Sequence, residues 1–153
     1  MLAALSIVEA ETALMTISSR KPLILIADDR PSSRELLRLV LERAGYDVIE
    51  AEDGEQALAR VRDGNPDLVL LDLQMPGMDG YAVLAAVRKE QQFATLPVLA
   101  LTASAMRGDR ERILEAGFTD YLAKPAAPEL VRETVARVLE RSSRGPVRSG
   151  PVR

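Results

Sequence analysis

The sequence predicts an α/β protein in which a five-stranded parallel sheet is doubly wound, with helices on both faces. Three observations carry this reading. From Pro22 onward, short β-branched or Leu-rich runs alternate with amphipathic stretches, the pattern of successive βα units. The first, third and fourth runs are almost wholly apolar, as strands covered on both faces must be. Helix start and stop residues fall between the runs.

The expected strands are Leu23–Ala27, Asp47–Ala51, 67–71, 98–101 and Asp120–Ala123. Ser32 with Glu35 three positions on forms a capping-box pattern for the first helix; Leu37, Val40, Leu41 and Ala44 supply its buried stripe, and Gly45 ends it. Asp53 caps a second helix that carries Ala57, Leu58 and Val61 and stops before Gly64 and Pro66. The third spans about 81–91 with Leu84 and Val87 inward. The fourth, about 105–116, ends at Gly117 and points Ile113 and Leu114 at the sheet. The last begins at Pro128, a favoured first-turn residue, with Val131, Val135, Val138 and Leu139 on one side.

Domain organisation follows from the same patterning: an N-terminal extension over 1–20, partly helical or disordered; one folded domain over 21–141; and a disordered tail over 142–153. The tail repeats Gly-Pro-Val-Arg and lacks apolar periodicity. Residues 2–17 are mildly apolar, but Glu9 and Glu11 interrupt them and no basic segment precedes them, so neither a signal peptide nor a membrane span is expected. A cytoplasmic location is the default. Met15 is an alternative start to Met1.

Composition excludes several classes of function. With 153 residues, 47% of them hydrophobic, the chain has room for one ordinary core. A net charge of -3 and 3% aromatic residues provide neither a basic field for a phosphate backbone nor stacking platforms for bases, so direct nucleic-acid binding is not expected. Cysteine and histidine are both absent, which removes thiolate chemistry, Cys- and His-based metal sites, and any internal phosphohistidine.

In an open parallel sheet ligands bind beyond the carboxyl ends of the strands. There the sequence places Asp28 and Asp29 after the first strand, Asp72 after the third, Thr102 after the fourth and Lys124 after the fifth. Carboxylates converging on one crevice repel, by roughly 4 kcal/mol for two unit charges about 4 Å apart at an effective dielectric near 20. Such a cluster needs a cation, and oxygen-only ligation suits a hard ion such as Mg²⁺, which keeps waters and takes phosphate oxygens. Lys124 adds neutralising charge and Thr102 a hydroxyl donor, so the set describes a phosphate pocket with a carboxylate nucleophile. Asp53 and Asp79 read instead as helix caps, and Met75 with Met78 as loop packing.

The segments LILIADD, LVLLDLQMPGMDG, VLALTA and YLAKP, in this order over 22–139, resemble the receiver domain of two-component response regulators, of the stand-alone chemotaxis and cell-cycle type. The resemblance implies a flavodoxin-like sheet of strand order 2-1-3-4-5. It implies Asp72 as the phosphoacceptor, with Asp29, Asp72 and the Gln74 carbonyl as direct Mg²⁺ ligands and Asp28 acting mostly through water. It further implies Thr102 and Tyr121 as a coupled switch pair, Lys124 as a phosphoryl contact, and a cis bond from Lys124 to Pro125. The implied partners are a sensor histidine kinase or histidine phosphotransfer protein as donor, met at Arg34 and Leu36, and a downstream protein target. The implied assembly is a monomer or weak homodimer.

Two other functions fit parts of the pattern. A haloacid-dehalogenase-like phosphatase also uses a strand-end aspartate, a threonine, a lysine and Mg²⁺, but normally has a second aspartate where this chain has Gln74. A phosphate-independent pseudo-receiver is disfavoured by the complete acidic set. The resemblance also leaves open a segment excised from a larger hybrid kinase.

Overall fold

The computed structural model describes residues 20–152, with side chains described to 142. The extension over 1–19 and both candidate start residues lie outside the described residues. Five parallel strands pair in the order β2-β1-β3-β4-β5: β1 Leu23–Ala27, β2 Asp47–Ala51, β3 Leu68–Asp72, β4 Val98–Thr102 and β5 Asp120–Ala123. Among the described residues five helices connect and flank them: α1 Pro31–Arg43, α2 Gly54–Gly64, α3 Gly80–Lys89, α4 Arg107–Ala116 and α5 Pro128–Val152. A single 3₁₀ turn, Gln91–Phe93, follows α3.

Because side chains alternate along a strand, each central strand feeds two cores. Ile24 and Ile26 face α1 and α5, where Leu37, Leu41, Val131 and Val135 close a buried cluster. Leu25 and Ala27 face the other way, toward Val61, Val83, Leu84, Ile113 and Phe118 from α2, α3, α4 and the turn after it. β3 and β4 are buried along their whole length, while β2 and β5 at the edges are partly open, as the hydropathy of the runs predicts.

Several local expectations are corrected. Arg30, not Ser32, is the N-cap of α1; Pro31 presets the first helical residue, so Ser32 and Glu35 lie inside the helix and form no capping box. Ala44 is the exposed C-cap of that helix rather than part of its stripe. α2 runs through Gly64 because Asn65 takes the left-handed capping conformation (φ 51°). Leu114 is 47% exposed: α4 turns only Ile113 inward. The helical backbone of α5 is described to Val152, and its packed part carries Val131, Val135 and Val138.

The start of α3 is tied closely to β3. Asp79 caps the helix by accepting the Ala82 N–H at 2.9 Å, and the Gly80 N–H reaches the Leu73 carbonyl at 3.1 Å. A β-carbon on Gly80 would lie 2.5 Å from the Asp72 carbonyl oxygen and 2.8 Å from Leu73 Cα. Both are backbone atoms at the end of a buried strand, so they cannot yield cheaply. Gly80→Ala is therefore expected to cost about 1–3 kcal/mol in urea unfolding, the range of overpacked cores. Gly108→Ala, which meets nothing within 4 Å in α4, is expected to raise stability by about 0.5–1 kcal/mol.

Candidate functional site

Register brings the carboxyl ends of the strands together: Ala27 pairs with Leu71, Asp72 with Leu101 and Thr102 with Ala123. The residues that end or follow these strands therefore share one rim. There, carboxylate oxygens of Asp28, Asp29 and Asp72 lie within 4.8 Å of one another. Lys124 Nζ stands 2.9 Å from Asp28 Oδ2 and 3.1 Å from Asp72 Oδ2. The Lys124-Pro125 peptide is cis. Gln74, Leu36 and Ser33 line the same hollow.

The three carboxylates differ in surroundings. The Asp28 side chain is fully buried, and its oxygens accept from the Arg30 N–H (2.9 Å), the Ser33 hydroxyl (2.6 Å) and Lys124. Burial opposes its ionisation, but these donors outweigh burial and hold the carboxyl below the usual aspartate range. Asp72 accepts from the Gln74 N–H at 3.0 Å and from Lys124, too little to offset burial, so its carboxyl is pushed up; the neighbouring Asp28 charge adds to the rise. For Lys124, burial favours the neutral amine, yet bonds to both carboxylates win and its pKa is raised. Asp29 is exposed at the mouth of the hollow.

Three carboxylates against one ammonium leave the cluster net negative, and every acidic donor is a hard oxygen. The set fits a hard divalent cation in both charge and donor type.

Thr102 stands at the end of β4, its carbonyl accepting the Lys124 N–H at 2.7 Å. Its hydroxyl is turned onto its own loop: it donates to the Ser104 carbonyl at 2.6 Å and accepts the Ser104 N–H at 3.1 Å. Tyr121 is half-buried against the α2–α4 core, with the Arg110 guanidinium 5.6 Å from its ring centroid.

Arg34, expected at a docking surface, is instead occupied. Its Nε bonds Glu50 at 3.0 Å and its Nη1 the Asp28 carbonyl at 2.8 Å, with the side chain only 12% exposed. Leu36 is free, at 53% exposure. Ser33 was missed in the sequence, although a first-turn position in a helix directly following Asp28 and Asp29 aims a hydroxyl back at them. The Ser104 and Asp109 side chains, bonded at 2.5 Å, were missed because nothing in a loop composition reveals which partners meet.

Residues 24–136 match the family model described as the response regulator receiver domain. The chain belongs to the receiver-domain family. This receiver domain is 42% identical over 120 residues to the transcriptional regulatory protein ResD of Bacillus subtilis, covering 78% of this chain and 49% of that protein. It is 39% identical over 124 residues to the sensor protein GacS of Pseudomonas syringae, covering 79% of this chain and 14% of that protein. Among solved structures, a putative response regulator from Chloroflexus aurantiacus matches with 39% identity and a TM-score of 0.76, over 80% of this chain and 100% of that one. The receiver domain thus spans about half of ResD and a small part of GacS. Family and fold together identify a phosphoacceptor signalling domain and do not favour the phosphatase reading. Among the described residues no helix is long and apolar enough to cross a membrane.

Replacing Lys124 by Met removes the cation shared by two carboxylates. The expected loss is about 1–3 kcal/mol at pH 7, below the cost of breaking a wholly buried pair because Lys124 is 21% exposed. Without the ammonium the Asp72 carboxyl, already raised by burial and by the Asp28 charge, rises further above its unfolded value. Groups so raised contribute stability below the unfolded pKa and lose it as pH rises through the folded one. The deficit of the variant is therefore expected to be larger at pH 7 than at pH 4, in urea unfolding at both.

Proposed function

We propose that this receiver domain is a phosphorylation-dependent switch that accepts a phosphoryl group onto Asp72 from a phosphohistidine of a sensor histidine kinase or histidine phosphotransfer protein. It acts through protein–protein contacts or as a relay intermediate. The observation that carries the reading is the sharing of Lys124 between Asp72 and Asp28 at the strand ends, with Asp29 alongside.

Asp72 is favoured as the nucleophile over Asp28 on geometry and charge. Asp28 has three donors on its oxygens and is held as a weak base, whereas Asp72 carries two and is the more basic carboxylate. An oxygen of Asp72 attacks phosphorus in line as the bond to the donor's imidazole nitrogen breaks, and the imidazole leaves with the electron pair. Lys124 neutralises charge on a phosphoryl oxygen and Thr102 donates to another once its hydroxyl leaves Ser104. Asp29, Asp72 and the Gln74 carbonyl would hold Mg²⁺, with Asp28 acting through water since its oxygens are already occupied. Bound there, Mg²⁺ supplies charge neutralisation at the transferring group.

The added group brings roughly -1.5 to -2 charges and three acceptor oxygens. Thr102 moves toward them, Tyr121 follows, and the surface formed by α4, β5 and α5 shifts. Carrying such an equilibrium from 1:99 to 99:1 takes about 5.5 kcal/mol of differential stabilisation, so a partial shift is the expectation. Leu36, exposed beside the hollow, is the remaining contact for the donor.

Acetyl phosphate with Mg²⁺ is expected to produce an acid-labile adduct of the full chain, seen by intact mass, and Asp72→Asn to abolish it; full labelling of that variant would move the nucleophile elsewhere. Mg²⁺ at ten times its Kd should raise stability by about 1.4 kcal/mol, and Asp29→Asn should remove most of that gain in a thermal-shift titration.

A further inference from the structure

The Thr102 hydroxyl has one proton, and the structure commits it to the Ser104 carbonyl at 2.6 Å. A hydroxyl that already donates cannot donate to a second acceptor, so Thr102 reaches a phosphoryl oxygen only by giving up Ser104. What keeps Ser104 in place therefore bears on the switch. The Ser104 side chain is exposed and packs into no core, but its hydroxyl donates to Asp109 Oδ2 at 2.5 Å. Asp109 lies in the first turn of α4, a helix whose N-cap, Met106, makes no side-chain capping bond.

The other end of this helix is held differently. Arg88 Nη2 donates to the Gly117 carbonyl at 3.1 Å while Nη1 bonds the Phe93 and Leu96 carbonyls at 3.0 and 2.8 Å. In between, Ile113 is the one fully inward side chain of α4. The first turn of α4 is thus tied to the end of β4 through the chain of bonds Thr102–Ser104–Asp109, and to β5 through the Arg110 guanidinium over the Tyr121 ring.

We propose that Ser104 and Asp109 are positioning residues that together latch the Thr102 hydroxyl away from Asp72 and tie that rotamer to the first turn of α4. The assignment rests on the reading of Asp72 as phosphoacceptor only for its consequence, a slower acquisition of phosphate. The latch itself is a property of the unphosphorylated chain. Releasing it lets Thr102 sample the rotamer facing Asp72 more often, and lets α4 settle independently of the strand end.

The test uses the full chain without phosphoryl donor. Rotamer populations of Thr102 are read from three-bond couplings between its methyl carbon and the backbone nitrogen and carbonyl. Ser104→Ala and Asp109→Ala are each expected to raise the population ratio of the second rotamer to the first about threefold to tenfold, the range one net hydrogen bond supports. The double variant should do no more than either single one, since both cut the same chain. Ser104→Thr, which keeps a hydroxyl, should restore the original populations. Unchanged Thr102 couplings in both single variants, or effects that add in the double variant, would overturn the latch. A purely structural role for the pair would lower stability and leave those couplings alone. Acetyl phosphate labelling reads the other question separately: the single variants should label about threefold to tenfold faster, and absence of any Asp72 adduct in the unsubstituted chain would reject the phosphoacceptor reading while the couplings still decide the latch.

Discussion

The site depends on one ammonium group held between two carboxylates. Asp28 is fully buried at the end of a strand, a position in which an aspartate is stable only if its charge is answered. Lys124 answers it from β5, across β3 and β4, and answers Asp72 as well. A charge shared across the sheet ties its central and edge strands electrostatically at the same rim where hydrogen-bond register ties them geometrically. The cluster nevertheless stays net negative, which makes it receptive to a cation.

The supporting parts are arranged so that the central carboxylates have little freedom. Arg34 holds the Asp28 carbonyl from α1 while its guanidinium is fixed by Glu50 on β2. Ser33 and the Arg30 N–H hold the Asp28 side chain, and the close approach of α3 to the end of β3 fixes the backbone behind Asp72. Only the far wall, around Thr102 and Ser104, is built from bonds within a short exposed loop. Rigidity on one side of a pocket and exchangeable hydrogen bonds on the other is the arrangement a two-state element requires.

Most of the fold was legible in the sequence because its two-faced strands and stop residues are local signals. Leu23–Ala27, Asp47–Ala51 and Asp120–Ala123 have the expected bounds; β4 is longer by Thr102, and β3 is shifted by one residue, starting at Leu68 and continuing the ladder to Asp72. The meeting of Asp28, Asp29, Asp72 and Lys124 was also legible, since the carboxyl ends of neighbouring parallel strands must share a rim. What was not legible depends on side-chain direction. Arg34 reads as a surface charge until Glu50 is seen beside it, Leu114 reads as core until α4 is seen to bury one side chain, and Ser104 and Asp109 have no pattern of their own.

The Arg88 fork lies at the opposite rim, where it gathers carbonyls from the turn after α3, the approach to β4 and the end of α4. Nearby, Thr119 accepts the Val98 N–H and Asp67 the Leu23 N–H, so the entrances to several strands are stapled by side chains. Strain introduced at the acidic end thus meets strands stapled at their entrances, and the exposed loop after Thr102 is left as the part whose hydrogen bonds can exchange.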